Sequence, residues 1–286
     1  MSGALVLVGT PIGNLGDLAP RAAEELARAD AVACEDTRRT GRLLSHLGVR
    51  TPSLLVVNDH TEAGAAREVL ARLDRGERVA VVTDAGMPGI SDPGERLVAA
   101  AASAGHRVEV VPGPSAAVTA LVASGLPTGR FVFEGFLPRK GSARADRLAA
   151  VAAERRTVVV YEAPHRVART LADLAAVCGA ERRVALAREL TKLHEELWRG
   201  TLGAAVGHVA EVEPRGEFVL VLDGAPPPGV PDDAVILDAL AEARGEGAST
   251  RDAVGRVAGA LGVPRRRVYD LAVGSRPDGV RRAGSG

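Results

Sequence analysis

Four turns of distinctive composition follow apolar, strand-like segments and carry the groups best suited to bind a ligand. Three are rich in glycine and proline, namely GTPIGNLG at 9–16, DAGMPGISDPG at 84–94 and PGPSAA at 112–117, and the fourth is EDTRRT at 35–40. Glycine allows close approach to the backbone, and proline stiffens a turn. Such loops expose N–H and C=O groups that can bind an adenine, a ribose or an amino-acid moiety. Because open α/β sheets bind ligands beyond the carboxyl ends of their strands, the four turns predict a small-molecule pocket.

The turns match neither of two common phosphate-binding patterns. The glycines at 9, 13 and 16 have the wrong spacing for GxGxxG, and the chain has no GxxxxGK[ST] sequence. The sequence therefore disfavours a conventional dinucleotide-binding fold and a P-loop NTPase.

Apolar, β-branched runs alternate with segments of helical length and spacing, which predicts an α/β fold with parallel crossovers in a doubly wound layout. The runs are Ala4–Val8, Ala31–Cys34, Val79–Thr83, Val108–Val111, Phe131–Phe133, Thr157–Tyr161, Val184–Ala187 and Phe218–Leu222. The helical segments include Pro20–Arg28, Glu62–Arg75, Glu95–Ala104 and Ser115–Ser124.

Stretches rich in proline and glycine predict that the chain has three parts. Pro112-Gly113-Pro114 separates an α/β domain at 1–113 from a second α/β domain at 114–225. The proline-rich stretch Ala225–Pro231 predicts a linker, so that 226–286 is a linker followed by a small, basic, helical segment. Within it, Ser249 and Thr250 are positioned to cap one helix, and Arg265-Arg266-Arg267 opens a second, in a helix-turn-helix-like pattern.

Composition excludes several classes of protein. The chain has 286 residues, 46% hydrophobic and 25% charged, and its 36 basic residues balance 36 acidic ones, so it is not a basic nucleic-acid binder as a whole. Few aromatic residues disfavour a base-stacking sheet, and Cys34 and Cys178 alone make no disulfide scaffold. No signal segment or membrane-length apolar run is present, which predicts a cytoplasmic protein without a membrane partner.

Two stretches are nevertheless locally basic. Residues 130–156 carry a net charge of +4, and residues 251–286 carry +5. They suit either a polyanionic partner held at defined places or a solvated helix face and a loose tail.

Eight segments in order resemble the tetrapyrrole-methylase-like family of S-adenosylmethionine-dependent methyltransferases, in particular the subfamily that methylates ribosomal RNA. They are GTPIGNLGD (9–17), EDTRRTGRLL (35–44), DAGMPGISDPG (84–94), PGPSAAVTAL (112–121), FEGFLPRKG (133–141), YEAPHR (161–166), ARELTKLHEE (187–196) and GEFVLVL (216–222). The resemblance covers nearly the whole chain. It implies two α/β domains with the methyl donor in the cleft between them, a homodimer, and 2′-O-methylation of a cytidine in the decoding region of 16S rRNA in the 30S subunit.

The resemblance also implies a donor pocket. It would involve Pro11, Asp84, Gly86, Met87, Ser91, Ser115 and Ala116. Relatives that act on tetrapyrroles usually show GDP near position 84, where this chain has Thr83-Asp84-Ala85. Two other functions remain open: a methyltransferase for a small tetrapyrrole, and a ribosome-assembly factor with a relic pocket.

Three residues are candidates for the chemistry of methyl transfer to a weakly nucleophilic alcohol. Glu35 or Asp36 could orient or deprotonate the hydroxyl, and the alternative is a helix N-cap with Arg38 as its partner. Lys192 could act as a base or hold phosphate, and the alternative is a solvated surface position.

Candidates for RNA contact are Asn14, Arg38, Arg166, Arg188, Arg265, Arg266 and Arg267. Planar guanidinium groups suit phosphate. The alternatives are structural ion pairs for Arg38, Arg166 and Arg188. For Asn14 the alternative is a turn, and for the C-terminal arginines it is a helical cap that packs in a dimer. His60 and His165 stand out among the six histidines, and a core or turn position is the alternative for each. No cluster of His, Cys and Asp has metal-ligand spacing, which predicts no metal.

Overall fold

The computed structural model describes residues 3–50, 53–58, 61–211, 214–227 and 231–274. Within these ranges the chain forms ten strands, eleven α-helices and a short 3₁₀ helix. Packing divides the chain into a unit of residues 1–225 and a unit of residues 226–286, which are described separately. The predicted boundary at residue 113 falls inside the first unit and stays a prediction. Among the described residues, no helix is both long and apolar enough to span a bilayer.

The first sheet is entirely parallel, as predicted. Its strands, in the order β3-β2-β4-β1-β5, are β1 (Ala4–Val8), β2 (Ala31–Cys34), β3 (Leu54–Val56), β4 (Arg78–Val81) and β5 (Arg107–Val111). Helices α1 (Pro20–Arg28) and α2 (Thr37–His46) cover one face, and α3 (Glu62–Asp74) and α4 (Glu95–Ser103) cover the other. Burial on both faces explains why β1 is a continuous apolar run.

The centre of this sheet is a topological switch point. Strands β1 and β4 are neighbours, but the chain leaves β1 towards β2 and leaves β4 towards β5. Helix α1 after β1 and helix α4 after β4 pack on opposite faces of the sheet, and a ligand crevice is expected beyond the carboxyl ends of strands at such a point.

The second sheet differs from the predicted parallel layout. Its strands, in the order β6-β7-β10-β8-β9, are β6 (Phe131–Phe136), β7 (Thr157–Glu162), β8 (Arg183–Arg188), β9 (Glu196–Thr201) and β10 (Phe218–Leu222). Only β6 and β7 pair in parallel. The expectation of parallel crossovers is wrong here because the seven residues between β8 and β9 are too few for a crossover helix, so the strands pair as a hairpin.

Helices cover both faces of the second sheet. Helices α6 (Ser142–Ala153), α7 (Pro164–Cys178) and α8 (Leu202–Glu211) pack on one face. Helix α5 (Ala116–Ala123) follows β5 of the first sheet yet packs on the opposite face of the second, where Ala120 and Leu121 meet Val159 and Val221. The start of α5 thus connects the loops of one sheet with the core of the other.

Residues 226–286 form a small helical unit of their own in the described part. It contains α9 (Asp233–Gly245), α10 (Thr250–Leu261) and α11 (Arg265–Gly274), packed around Ile236, Leu240, Val257 and Val268. The Ser249 hydroxyl accepts a hydrogen bond from the N–H of Asp252 at the start of α10, and Gly262 ends that helix with a φ of 63°. The predicted helical pair is confirmed.

Two glycines let the loops after β1 and β5 touch. A Cβ added at Gly9 would lie 2.6 Å from the backbone nitrogen and Cα of Gly113, and 2.7 Å from Sδ of Met87. The backbone atoms of Gly113 cannot move aside as the flexible end of a side chain can. These glycines therefore serve contact between loops, whereas the sequence had suggested contact with a ligand.

We expect Gly9→Ala to lower the free energy of unfolding by about 1–3 kcal/mol, because the added methyl group overpacks a backbone contact. Chemical denaturation monitored by circular dichroism measures this change. Gly207→Ala is the matched control, since nothing lies within 4 Å of a Cβ there and alanine in a helix interior is more stable by roughly 0.5–1 kcal/mol. Equal stability of Gly9→Ala and the unmodified protein would contradict the proposed role of Gly9.

Candidate active site

Hydrogen bonds join the loops after β1 and β4. The N–H of Thr10 donates to the carbonyl of Gly86 at 2.9 Å, and the N–H of Gly86 donates to the carbonyl of Thr10 at 3.2 Å. The Thr10 hydroxyl also donates to the carbonyl of Thr83 at 3.2 Å. The loops that flank the crevice therefore have fixed positions relative to each other.

A loop of the second sheet closes the crevice from the opposite side. This loop, residues 189–195 between β8 and β9, holds Glu189 and Thr191 at φ values of 50° and 64°, a conformation that non-glycine residues rarely adopt. Oγ1 of Thr191 accepts a hydrogen bond of 3.1 Å from the N–H of Asn14. Strained backbone in a tied loop beside a crevice is typical of functional sites.

The first cavity has a volume of about 390 Å³, within the usual range of small-molecule pockets. It lies between loops of the two sheets and is mostly apolar. Its walls are formed by Ile12, Ala85, Gly86, Met87, Ile90, Ser91, Asp92, Ser115, Ala116, Phe136, Tyr161, Glu162, Ala163, Pro164, Ala187, Leu190, Lys192, Glu217, Phe218 and Val219. Five of the seven predicted donor residues are among them: Gly86, Met87, Ser91, Ser115 and Ala116.

The chemistry of this lining fits an adenosyl sulfonium compound. Small side chains leave flat walls for a base, while Ser91, Ser115 and Asp92 offer polar groups to a ribose or an amino acid. The rings of Phe136 and Tyr161 meet edge to face with centroids 5.7 Å apart, and aromatic rings attract a cation. The Tyr161 hydroxyl accepts a hydrogen bond of 3.1 Å from the N–H of Ala117, which ties the ring to the start of α5.

A second cavity, of about 350 Å³, shares part of its wall with the first. Both are lined by Ile12, Ala85, Lys192 and Glu217. The remaining walls of the second cavity are Thr10, Pro11, Gly13, Leu15, Arg39, Thr40, Arg42, Leu43, His46, Thr83 and Asp84. Pro11 and Asp84, predicted with the donor, therefore line the second cavity and are absent from the lining of the first.

Asp84 has an unusual environment in the second cavity. Its Oδ2 lies 3.2 Å from the guanidinium of Arg39, while its Oδ1 is buried and has no hydrogen-bond partner among the described residues. Burial raises the pKa of this carboxyl; Arg39 opposes that shift, Asp36 reinforces it by repulsion, and the N–H of Asp36 opposes it. An unpaired buried acceptor costs about 1–3 kcal/mol, so its presence calls for an explanation.

One face of α2 supplies two arginines and a histidine that the motifs did not single out. Arg39, Arg42 and His46 all line the second cavity. Their separations of three and four residues put them on one face of a helix. That spacing was visible in the sequence and could have identified them.

Lys192 lies where the two cavities meet. Its Nζ is 2.8 Å from Oε1 of Glu189 and 3.0 Å from Oε2 of Glu217. Burial acts to lower the pKa of Lys192, but the two carboxylates outweigh burial and the net shift is upward. The side chain is therefore a fixed ammonium ion, which does not suit the role of a base.

The paired carboxylates at 35 and 36 do not belong to either cavity. Asp36 caps α2: its Oδ1 accepts from the N–H of Arg38 at 2.8 Å, and its Oδ2 lies 3.1 Å from the Arg38 guanidinium. These bonds lower the pKa of Asp36 to about 2, so it is a weak base. The helix N-cap, which was the alternative for this pair, is the arrangement observed. Glu35 follows β2 and lines neither cavity.

Several predicted RNA contacts make internal contacts instead. Arg166 lies 3.1 Å from Glu162 and donates to the carbonyl of Leu137. Arg188 lies 3.1 Å from Glu196 and donates to the carbonyl of Arg215. Two more candidates also have internal partners. The Asn14 side chain accepts a hydrogen bond from the N–H of Gly16, as in the alternative of a turn, and Arg267 pairs with Asp233.

The remaining candidates differ in their surroundings. Arg38 is 86% exposed despite its bond to Asp36, and Arg265 and Arg266 line an open groove of the C-terminal unit with Arg251 and Tyr269. His60 lies outside the described residues, and His165 is exposed near the start of α7.

Two further expectations concern charge and metal. In the basic stretch 130–156, Arg144, Arg147 and Arg156 are each paired with a carboxylate, and Arg144 is buried. No group of three or more His, Cys, Asp or Glu side chains in the described ranges could hold a metal ion.

Comparison with known proteins agrees with the resemblance seen in the motifs. The model of the family described as Tetrapyrrole (Corrin/Porphyrin) Methylases matches residues 4–206. A protein of Synechocystis sp. named ribosomal RNA small subunit methyltransferase I is 47% identical over 97% of this chain and 100% of its own length. Its namesake from Escherichia coli O157:H7 is 44% identical over 95% of both chains.

Solved structures share the fold. The methyltransferase CobJ superposes with a TM-score of 0.60 at 21% identity, covering 79% of this chain and 95% of its own. The uroporphyrin-III C-methyl transferase of Thermus thermophilus, solved with S-adenyl homocysteine, has a TM-score of 0.54 at 22% identity and covers 78% of this chain and 97% of its own. From its sequence match and its fold, the chain belongs to the tetrapyrrole methylase family, and the two relatives just described are named ribosomal RNA small subunit methyltransferase I.

Proposed function

We propose that this protein is an S-adenosylmethionine-dependent methyltransferase that methylates the ribose 2′-hydroxyl of a cytidine in the decoding region of 16S rRNA. The observation that carries the proposal is the pair of adjoining cavities with a common wall. A two-substrate transfer requires one space for the donor and another for the acceptor, close enough for the reacting atoms to touch. The relatives named ribosomal RNA small subunit methyltransferase I support this choice of acceptor.

The first cavity suits the donor. S-adenosylmethionine supplies a methyl group activated by a positively charged sulfur. Gly86, Ser115 and Ala116 leave room for its adenosyl part, while the rings of Phe136 and Tyr161 favour its charge.

The second cavity suits a polyanionic acceptor. Arg39, Arg42 and His46 follow one face of α2 along its wall, and guanidinium groups bind phosphate. In the C-terminal unit, Arg265 and Arg266 provide a second basic surface beside the aromatic ring of Tyr269, which suits RNA phosphates and bases. The acceptor would be the 30S subunit, which places the reaction in the cytoplasm.

The test of the proposed function is a methylation assay with labelled S-adenosylmethionine on isolated 30S subunits that lack the modification. We expect one methyl group per subunit, on a cytidine ribose of the decoding region. The blocked 2′-oxygen can no longer attack the neighbouring phosphate, so alkaline hydrolysis leaves an uncleaved dinucleotide that mass spectrometry identifies. Methyl on a base, or no methyl transfer to the subunits, would overturn the proposal. Fully modified subunits serve as the negative control.

Arg42→Ala and Arg266→Ala should each weaken binding to 30S subunits and reduce the slope of log affinity against log salt by roughly one, because each removes one phosphate contact. The measurements are filter binding at several salt concentrations and donor affinity by calorimetry, which should not change. Arg28→Ala, an exposed arginine of α1 outside both cavities, is the control. An unaltered salt slope for both variants would contradict these RNA contacts.

We also propose that the protein is a homodimer. Helix α5 contains no charged residue, and it exposes Val118 by 50% and Val122 by 64%, one turn apart. Such an uncharged face suits burial against another copy of the chain.

Val122→Asp should convert the dimer to a monomer, because a carboxylate on this face would be buried without a partner. Sedimentation equilibrium measures the mass, expected at twice 29.5 kDa for the unmodified protein. Val177→Asp, on an exposed valine of α7, is the control and should stay dimeric. A dimer that survives Val122→Asp would exclude this face as the interface.

A further inference from the structure

Asp84 combines three properties that neither the donor pocket nor a structural role explains. It lines the second cavity, its side chain is only 22% exposed, and its Oδ1 makes no hydrogen bond to any described residue. The neighbouring Thr83 also lines this cavity and has a buried hydroxyl without a partner. Unpaired polar atoms on two consecutive residues of this wall indicate a place for a polar group of a ligand.

A hydroxyl group matches this pair. A carboxylate can only accept a hydrogen bond, and a threonine hydroxyl can donate one, whereas an alcohol donates and accepts at a single oxygen. A ribose hydroxyl in the second cavity can therefore donate to the carboxylate of Asp84, and the Thr83 hydroxyl is a further donor in the same wall. Residue 85, next along the chain, lines both cavities, so Asp84 lies beside their common wall.

The charged groups around Asp84 leave its carboxylate able to take a proton. Arg39 and Asp36 act on it directly, and the Cys34 thiol lies close enough to interact with it. The other titratable residues of the same cavity are Arg42, His46, Lys192 and Glu217. Burial raises the pKa of Asp84, and the ion pair with Arg39 limits that rise. A base whose pKa is raised towards the working pH is more effective than an ordinary aspartate.

The other groups near the cavities are less suitable. Lys192 is held as an ammonium ion by two carboxylates. Asp36 caps α2 and lines neither cavity. Glu217 is 75% exposed and paired with Lys192. His46 is seven residues from Arg39, the residue that pairs with Asp84, which is roughly 10 Å along the helix axis.

We propose that Asp84 is the catalytic base of the reaction, an inference that rests on the proposed function. The hydroxyl oxygen of the acceptor forms a bond to the methyl carbon as the carbon–sulfur bond breaks, with its electron pair left on sulfur. The hydroxyl proton passes to the Asp84 carboxylate. A sulfonium, an alcohol and a carboxylate thus give a thioether, a methyl ether and a carboxylic acid, and the charges balance. Arg39 holds the carboxylate in place and acts as a positioning residue.

The test compares Asp84→Asn with the unmodified protein on 30S subunits. The amide has the same shape but cannot accept the proton, so kcat should fall by about 10²–10⁴-fold, while the affinities for S-adenosylmethionine and for 30S subunits stay within about threefold. Asp74→Asn, the same change at an exposed carboxylate of α3, should keep full activity.

Two pH measurements distinguish a base from a binding group. The kcat of the unmodified protein should fall as the pH drops through the pKa of Asp84, because protonation removes the base, and this acid limb should be absent in Asp84→Asn and present in His46→Gln. Independently of activity, ¹³C NMR of aspartate-labelled protein without donor should show one carboxyl, missing in Asp84→Asn, that titrates above the ordinary value of about 3.9.

Each outcome bears on a separate statement. Retained kcat in Asp84→Asn, with 2′-O-methylcytidine still the product, would overturn the role of Asp84 and leave the proposed function standing. A loss of donor affinity that matches the loss of activity would make Asp84 a donor ligand instead of a base. An acid limb that disappears in His46→Gln would assign the base to His46. Unmodified protein that transfers no methyl group to RNA would overturn both proposals.

Discussion

The close approach of Gly9 to Gly113 is the contact on which the site depends. It brings the loops after β1 and β5 into backbone contact, while hydrogen bonds between Thr10 and Gly86 hold the loop after β4 beside them. Strands of a parallel sheet end at one edge, but their loops usually diverge. Here absent side chains let three loops converge, and α5 starts where they meet, so its first turn lies between the two sheets.

A second constraint fixes the charge where the two cavities meet. It is the clamp on Lys192, formed by its ion pairs with Glu189 and Glu217. Glu189 and Glu217 approach its ammonium group from β8 and β10 loops, and Thr191 of the same loop bonds to Asn14 of the first sheet. The clamp both fixes a cation where the cavities meet and ties the two sheets together. A lysine held between two carboxylates stabilises negative charge but does not remove protons. A base must therefore come from another residue of the cavities, such as Asp84.

Much of this arrangement was predictable from local sequence. The strands β1, β2, β4 and β5 and the C-terminal helices follow from apolar runs and caps. Five of the residues predicted from motifs to bind the donor line one cavity. The edge strands β3 and β9 were not predicted, because half-buried edges lack a continuous apolar run. The antiparallel pairing of β8 and β9 depends on loop length, and the isolation of Asp36 from the cavities depends on tertiary placement. Neither is encoded in residue type alone.

The common wall of the two cavities has a thermodynamic consequence. Lys192 and Glu217 face both spaces, so a ligand that shifts either side chain on one side alters the field on the other. Linkage then requires that each ligand change the affinity for its neighbour by an identical factor. Binding of a nucleic acid in one cavity and of a nucleoside in the other can in this way be coupled without any movement of the sheets.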